Sequence, residues 1–170
     1  MRRVITLAIL IFVCFLLQST LFGMHDLDGI TPNLMLILTM SFGLMRGRKE
    51  GMLTGFFCGF LTDCFFMQIM GPFMFLYMII GYMNGFFHKN YMVEDVMLPL
   101  FVVIADEFIF NMSIYVFSFM LMNRLDLKGY FFGIILPETL YTAIITVVLY
   151  KIFVFINKHL KEKNKEKKNA

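Results

Sequence analysis

The chain has 170 residues, of which 59% are hydrophobic and 16% charged, with a net charge of +3 and a mean hydropathy of +0.77. Soluble domains use roughly 45–50% apolar residues, so this composition excludes an ordinary water-soluble globule and points to an all-α integral membrane protein. The apolar residues come in long blocks separated by short polar segments, which leaves no room for a soluble domain between them.

A hydrocarbon core about 30 Å thick takes roughly 20 helical residues at about 1.5 Å each. The blocks predict spans near 4–24, 32–45, 51–68, 72–87, 96–122 and 130–156, a compact bundle of six transmembrane helices forming one domain over 1–157, followed by a basic tail over 158–170. The first block follows Met1-Arg2-Arg3 and has the look of a secretory signal. However, Leu17-Gln18-Ser19-Thr20 runs straight into Leu21-Phe22 with no small-x-small cleavage site, so a retained span is expected. Spans two and four are short. Either their ends reach into flanking polar residues, or one is tilted or re-entrant.

Span three opens on the basic residues Arg46, Arg48 and Lys49 and carries glycine at 47, 51, 55 and 59 before a carboxylate at Asp63. In lipid, helices associate through close packing rather than through a water-driven hydrophobic effect, and small residues let backbones approach. Gly51, Gly55 and Gly59, with Asp63 at the rim, therefore predict a face that receives the helix of a partner. Asp63 itself reads either as an interfacial acid or as a partner-facing or interhelical hydrogen bond.

Span five holds Asp106 and Glu107 about ten residues in, with Asn111 one turn beyond Glu107 on the same face. A carboxylate at mid-helix costs about 2.5–3.5 kcal/mol on the insertion scale. Adjacent acids point about 100° apart on a helix, so at least one must face the bundle interior or a wet cavity. Interhelical tethers are the preferred reading, and a proton or ion pathway is the other. In span six, Pro137 cannot donate to the carbonyl of Gly133, so a kink is expected there. Glu138 follows at once, with Thr139, Thr142 and Thr146 placed to satisfy released carbonyls. Structural glue is again the preferred reading.

Charge sets the orientation. With the amino terminus inside, thirteen of the fifteen Lys and Arg residues fall on the cytoplasmic side, leaving only Arg124 and Lys128 opposite. Both termini are then cytoplasmic, and the first loop (His25, Asp26, Asp28) and the 123–129 loop lie outside. The six lysines from Lys158 to Lys168 form a solvated tail, read as a topology anchor with a frayed end in preference to a segment lying on anionic membrane lipid. Cys14, Cys58 and Cys64 fall within spans without metal spacing and read as packing residues. There is no HExxH, GxSxG or phosphate-binding loop, and His25, His88 and His159 stand at membrane edges or in the tail. No catalytic set, metal or cofactor site and no nucleic-acid contact is expected.

The order of these features resembles the bacterial rod shape-determining protein MreD family. The run Leu17-Gln18-Ser19-Thr20-Leu21-Phe22, then Thr31-Pro32-Asn33-Leu34, Arg46-Gly47, Gly51, Gly55, Gly59, Asp63, Gly71-Pro72-Phe73, Gly81-Tyr82 and Pro137-Glu138 carries the resemblance over nearly the whole chain. The glycine ladder ending at Asp63 after a Pro-Asn span is its most specific part. The chain departs from the family pattern at Met67-Gln68-Ile69-Met70 and at Tyr141, Thr142 and Lys151, so no residue roles carry over in the outer turn or in span six.

The resemblance implies a non-enzymatic component of the elongation complex that builds the lateral cell wall in the bacterial cytoplasmic membrane. Its partners there are MreC, RodA, a class B penicillin-binding protein and, indirectly, MreB. It also implies a fold similar to the substrate-binding S-components of energy-coupling-factor vitamin transporters. A vitamin-binding subunit is therefore the alternative function, with a pocket built from Asn111, Glu107 and aromatic side chains. The first span, with Ala8 as its only small apolar residue between Thr6 and Val13, offers no small-residue docking stripe for transporter assembly, which favours the scaffold.

Overall fold

The computed structural model describes residues 2–22, 31–66, 71–90, 96–122 and 127–169. The expected outer loops around His25, Asp26 and Asp28 and at 123–126, and the segment Met67-Gln68-Ile69-Met70, lie outside the described residues. Every described element is a helix. They are α1 (Arg2–Leu17, running on as a π-helical turn Gln18–Phe22), α2 (Leu34–Arg46), α3 (Arg48–Phe66), α4 (Pro72–Asn84), α5 (Met97–Met122), the short α6 (Leu127–Tyr130) and α7 (Leu136–Asn169). A 3₁₀ turn, Phe87–Asn90, follows α4. A π turn, Phe131–Ile135, joins α6 to α7. Helix thus falls on each of the six segments expected from hydropathy, and α7 continues through the lysine tail to Asn169 rather than fraying after 157.

The centre of the fold is α2. Every residue from Leu34 to Met45 is buried, as expected of a helix that is apolar all round, and α1, α3, α4, α5 and α7 all pack on it. Its 13 residues span about 20 Å at about 1.5 Å each. That shortness has a physical reason: α2 is solvated by other helices, so its ends need not reach water. A single residue, Gly47, links α2 to α3, and it adopts φ +92°, a left-handed conformation that costs a glycine nothing. His88 closes this end, its Nδ1 standing 2.7 Å from the Leu44 carbonyl oxygen.

The glycine ladder of α3 is occupied by the chain itself. A Cβ on Gly55 would collide with the Tyr77 carbonyl, one on Gly59 would stand 2.6 Å from the Phe73 carbonyl oxygen, and one on Gly51 would strike the Gly81 carbonyl and stand 2.7 Å from the Gly43 Cα. The face expected to receive a partner's helix is therefore filled by α4, with α2 touching it at Gly51. The cause is complementary small residues that the ladder alone did not reveal. Gly81 on α4, Gly85 just beyond its end and Gly43 on α2 are closed as well, so backbone meets backbone along the α3–α4 seam.

The outside of the bundle inverts the pattern of a soluble protein. Ile5, Ile9 and Phe12 on α1, Phe101 and Phe108 on α5, and Ile144, Val148 and Phe155 on α7 are exposed, whereas Thr39, Asp63, Glu107, Asn111, Thr142 and Thr146 are buried. Continuous apolar surface on this scale is an aggregation hazard in water and is wetted by hydrocarbon. Met97–Phe117 and Lys128–His159 are each long and apolar enough to cross a membrane.

The seam yields a matched pair of substitutions. Gly55→Ala should cost about 2–3 kcal/mol or more through overpacking, whereas Gly133→Ala, where nothing lies within 4 Å of the new methyl, should be neutral or mildly stabilising. Thermal unfolding of the detergent-purified variants, together with their accumulation in membranes, measures both.

Candidate buried polar site

A helix that begins inside a bundle leaves its first N–H groups without water. At the amino-terminal end of α2 these donors are met one by one. The Asn33 side chain caps the helix, its Oδ1 accepting from the Leu36 N–H at 3.1 Å. Gln18 Oε1, from the π turn that extends α1, accepts from the Met35 N–H at 3.1 Å. Thr142 Oγ1 on α7 accepts from the Asn33 N–H at 3.2 Å. The Tyr77 hydroxyl on α4 donates to Asn33 Oδ1 at 2.7 Å. Four helices therefore converge on one buried helix end.

Beside this end stand the acids of α5 and α7. Glu107 is 0% exposed. Its Oε2 accepts from Asn111 Nδ2 at 3.2 Å, and its Oε1 has no hydrogen-bond partner among the described residues. Glu138 and Thr142 lie beside Glu107, and Asn111 also neighbours Glu138. The positive end of the α2 dipole favours negative charge in its neighbourhood, which gives a physical reason for acids to collect here. Asn111 stands between two carboxyl groups and ties α5 to α7.

Asp106 points elsewhere, as the angle between adjacent helical residues requires. It meets α4, where Asn84 Nδ2 donates to its Oδ2 at 2.5 Å, and both residues line a lateral groove between α4 and α5. The two adjacent acids thus serve different faces, Glu107 turned to the bundle axis and Asp106 to the α4–α5 interface.

Asp63 has a role inside the chain and not at a partner's rim. Its carboxylate accepts from the N–H groups of Gly71 at 3.0 Å, Phe73 at 3.2 Å and Met74 at 2.9 Å, and it is only 2% exposed. It caps α4 from the neighbouring helix. The local sequence makes this necessary: Gly71 occupies the N-cap position with φ +122° and offers no side-chain cap, and Pro72 begins the helix. Asp63 supplies the missing acceptor at the end where the helix dipole is positive.

Pro137 lies two residues past the π turn Phe131–Ile135, at whose end the Leu136 N–H reaches back five residues to the Phe131 carbonyl. The expected irregularity is thus a π bulge upstream of the proline. Thr139 Oγ1 donates to the Ile135 carbonyl at 2.7 Å, the use of a hydroxyl expected near such a break. Cys14, Cys58 and Cys64 are free thiols. No group of metal-binding side chains occurs among the described residues.

The sequence pairs Glu107 with Asn111 and sets Glu138 apart on span six; it gives Gln18 and Asn33 no role beyond the family resemblance and does not mark Tyr77 or Asn84. Asn33 was legible: asparagine after proline and before an apolar run is a helix-start signal, and the brevity of span two implied a buried start. Nothing local marks Tyr77 or Asn84, whose partners are 44 and 22 residues away. At the opposite end of α2, Arg46 binds Glu50 at 2.9 Å and Asn157 at 3.0 Å, a link from α2 to α3 and α7 that the sequence pattern did not show.

The capping role of Asp63 predicts a graded series. Asp63→Ala strips three N–H groups of their acceptor and should cost roughly 2 kcal/mol or more, with Asp63→Asn intermediate because one carbonyl acceptor remains. Amide hydrogen exchange at Gly71, Phe73 and Met74 should accelerate in the same order, while exchange in the centre of α2 reports the global effect.

Among known proteins, a family model described as rod shape-determining protein MreD matches residues 1–159. No curated protein and no solved structure matches the chain.

Proposed function

The chain belongs to the MreD family of rod shape-determining membrane proteins, and from that premise we propose that it is a non-enzymatic scaffold of the bacterial elongation complex. The family match along the chain carries this reading. In it, MreC, RodA and a class B penicillin-binding protein assemble against the bundle within the cytoplasmic membrane, with MreB coupled indirectly. The extensive exposed apolar surface supports lateral assembly in lipid, since helix faces make up the large surfaces among the described residues. The occupied glycine seam redirects that assembly to other outer faces of the bundle, that of α5 among them, because the glycine faces of α3 and α4 are already packed on each other.

The buried polar site is read as architecture. Glu107 and Asn111 bond to each other, and the Asn33–Tyr77–Thr142 group closes the end of α2. Depletion in the native bacterium should give rounded cells with misdirected lateral wall synthesis, seen by fluorescent cell-wall labelling. Normal shape, together with a stoichiometric vitamin found in the purified protein by mass spectrometry, would instead establish the transporter-subunit alternative.

The proposed topology has six crossings with both termini in the cytoplasm, as the distribution of basic residues favours. An impermeant thiol reagent applied to intact cells, on a background lacking Cys14, Cys58 and Cys64, should label Asp28→Cys and Lys128→Cys. It should leave Arg48→Cys, Lys89→Cys and Lys163→Cys unlabelled until the cells are opened. Labelling of Lys163→Cys from outside would reject the topology.

A further inference from the structure

α4 lies along α3 on its glycine seam but meets α5 mainly through Phe110, whose ring packs on those of Phe73 at 5.4 Å and Tyr77 at 4.9 Å. On the outer side of that contact the two helices leave a furrow. It consists of two hollows, of about 640 Å³ and about 440 Å³, that meet at Ile109. Together they follow α5 from Leu98 to Val116, roughly 27 Å at about 1.5 Å per residue, close to the ~30 Å of a hydrocarbon core.

Two properties decide what fits it. The α5 wall includes Leu98, Val102, Ala105, Ile109, Met112 and Val116, which recur at alternating intervals of four and three residues, with Phe101, Phe108 and Phe117 beside them. That spacing is the seam along which a second helix packs knobs into holes at a crossing near +20°. The smallest of these residues, Ala105, sits in the middle where the closest approach is needed.

Beside it, Asp106 is 6% exposed and lines the furrow. Asn84 is its only hydrogen-bond partner among the described residues and reaches one of its two oxygens. Asp106 stands about 14 Å along α5 from Met97, deep in the apolar layer, where an acceptor without a donor is costly. An acyl chain covers a single leaflet and brings no donor at that depth. A helix covers both leaflets and can bring one.

We propose that the α4–α5 furrow seats one transmembrane helix of another membrane protein, packed on the Leu98–Val116 stripe, with an N–H or O–H side chain of that helix donating to Asp106. This deepens the scaffold reading and rests on it only for the existence of a membrane partner.

The test places a photo-reactive benzoyl-phenylalanine, one position at a time, at Val102, Ala105, Ile109 and Val116 of the full-length protein in its native membrane, with Ile144 and Val148 on α7 as controls. Cross-linked residues are read by mass spectrometry. Adducts from Val102, Ile109 and Val116 should fall on a single transmembrane segment of another protein, at points about seven residues apart in order along it. Adducts confined to lipid, falling on a second copy of this chain, or scattered without order over several segments overturn the proposal.

The Ala105 adduct should lie within one turn of a donor side chain on the captured segment. Absence of such a side chain removes the role given to Asp106. Ala105→Phe, which fills the furrow from its exposed side, should lower the Ile109 cross-link by roughly tenfold or more at unchanged accumulation. An unchanged yield also overturns the proposal. Rounding on depletion with lipid-only adducts would remove the furrow and leave the scaffold reading standing, whereas normal shape on depletion would remove the scaffold reading itself.

Discussion

The backbone-to-backbone contact between α3 and α4 is the constraint on which the rest of the bundle depends. Helices without side chains between them have one available separation and one register, so the seam fixes α4 in depth and in rotation. That placement brings the Tyr77 hydroxyl to Asn33 and the Asn84 amide to Asp106. It also brings the first turn of α4 beneath the Asp63 carboxylate. Each of these polar contacts is directional and individually modest. Their combined effect is to lock a geometry that packing has already chosen.

The buried polar groups follow from a second requirement, that backbone donors in a dry interior find acceptors. Two helix starts receive acceptors from elsewhere in the chain, and each is provided for differently. α2 draws acceptors from its own cap, from α1 and from α7, whereas α4, which begins with glycine and proline, borrows a carboxylate from α3. The acids of α5 and α7 belong to the same scheme. Glu107 and Glu138 meet around Asn111, and the enclosed end of α2 is the reason for a polar interior at this level.

How much of this was legible in the sequence depends on whether a feature is local. Helix positions were readable because apolar block length is a local property, and the pairing of Glu107 with Asn111 was readable because it follows helical periodicity. The divergence of Asp106 from Glu107 was likewise implied by the angle between neighbours. The destination of the glycine ladder was not. A small-residue stripe states that a helix will lie close without stating whose, and only Gly43, Gly81 and Gly85, scattered over two other helices, decide that it is the chain's own. The choice among the readings of Asp63 was open for the same reason, since the three donors of its interhelical hydrogen bonds lie beyond a turn and on the next helix. The contacts of Tyr77 and Asn84 depend on the register of α4, which no local pattern encodes.

Gly47 has a consequence for how the core helix is enclosed. With one residue between them, α2 and α3 form a hairpin with almost no separation at its bend, so the core helix has its first covering neighbour next to it in the chain. This suits α2, whose threonine, serine and asparagine groups are all buried against protein. The bend gives one side of α2 to α3, and α1, α4, α5 and α7 cover the sides that remain.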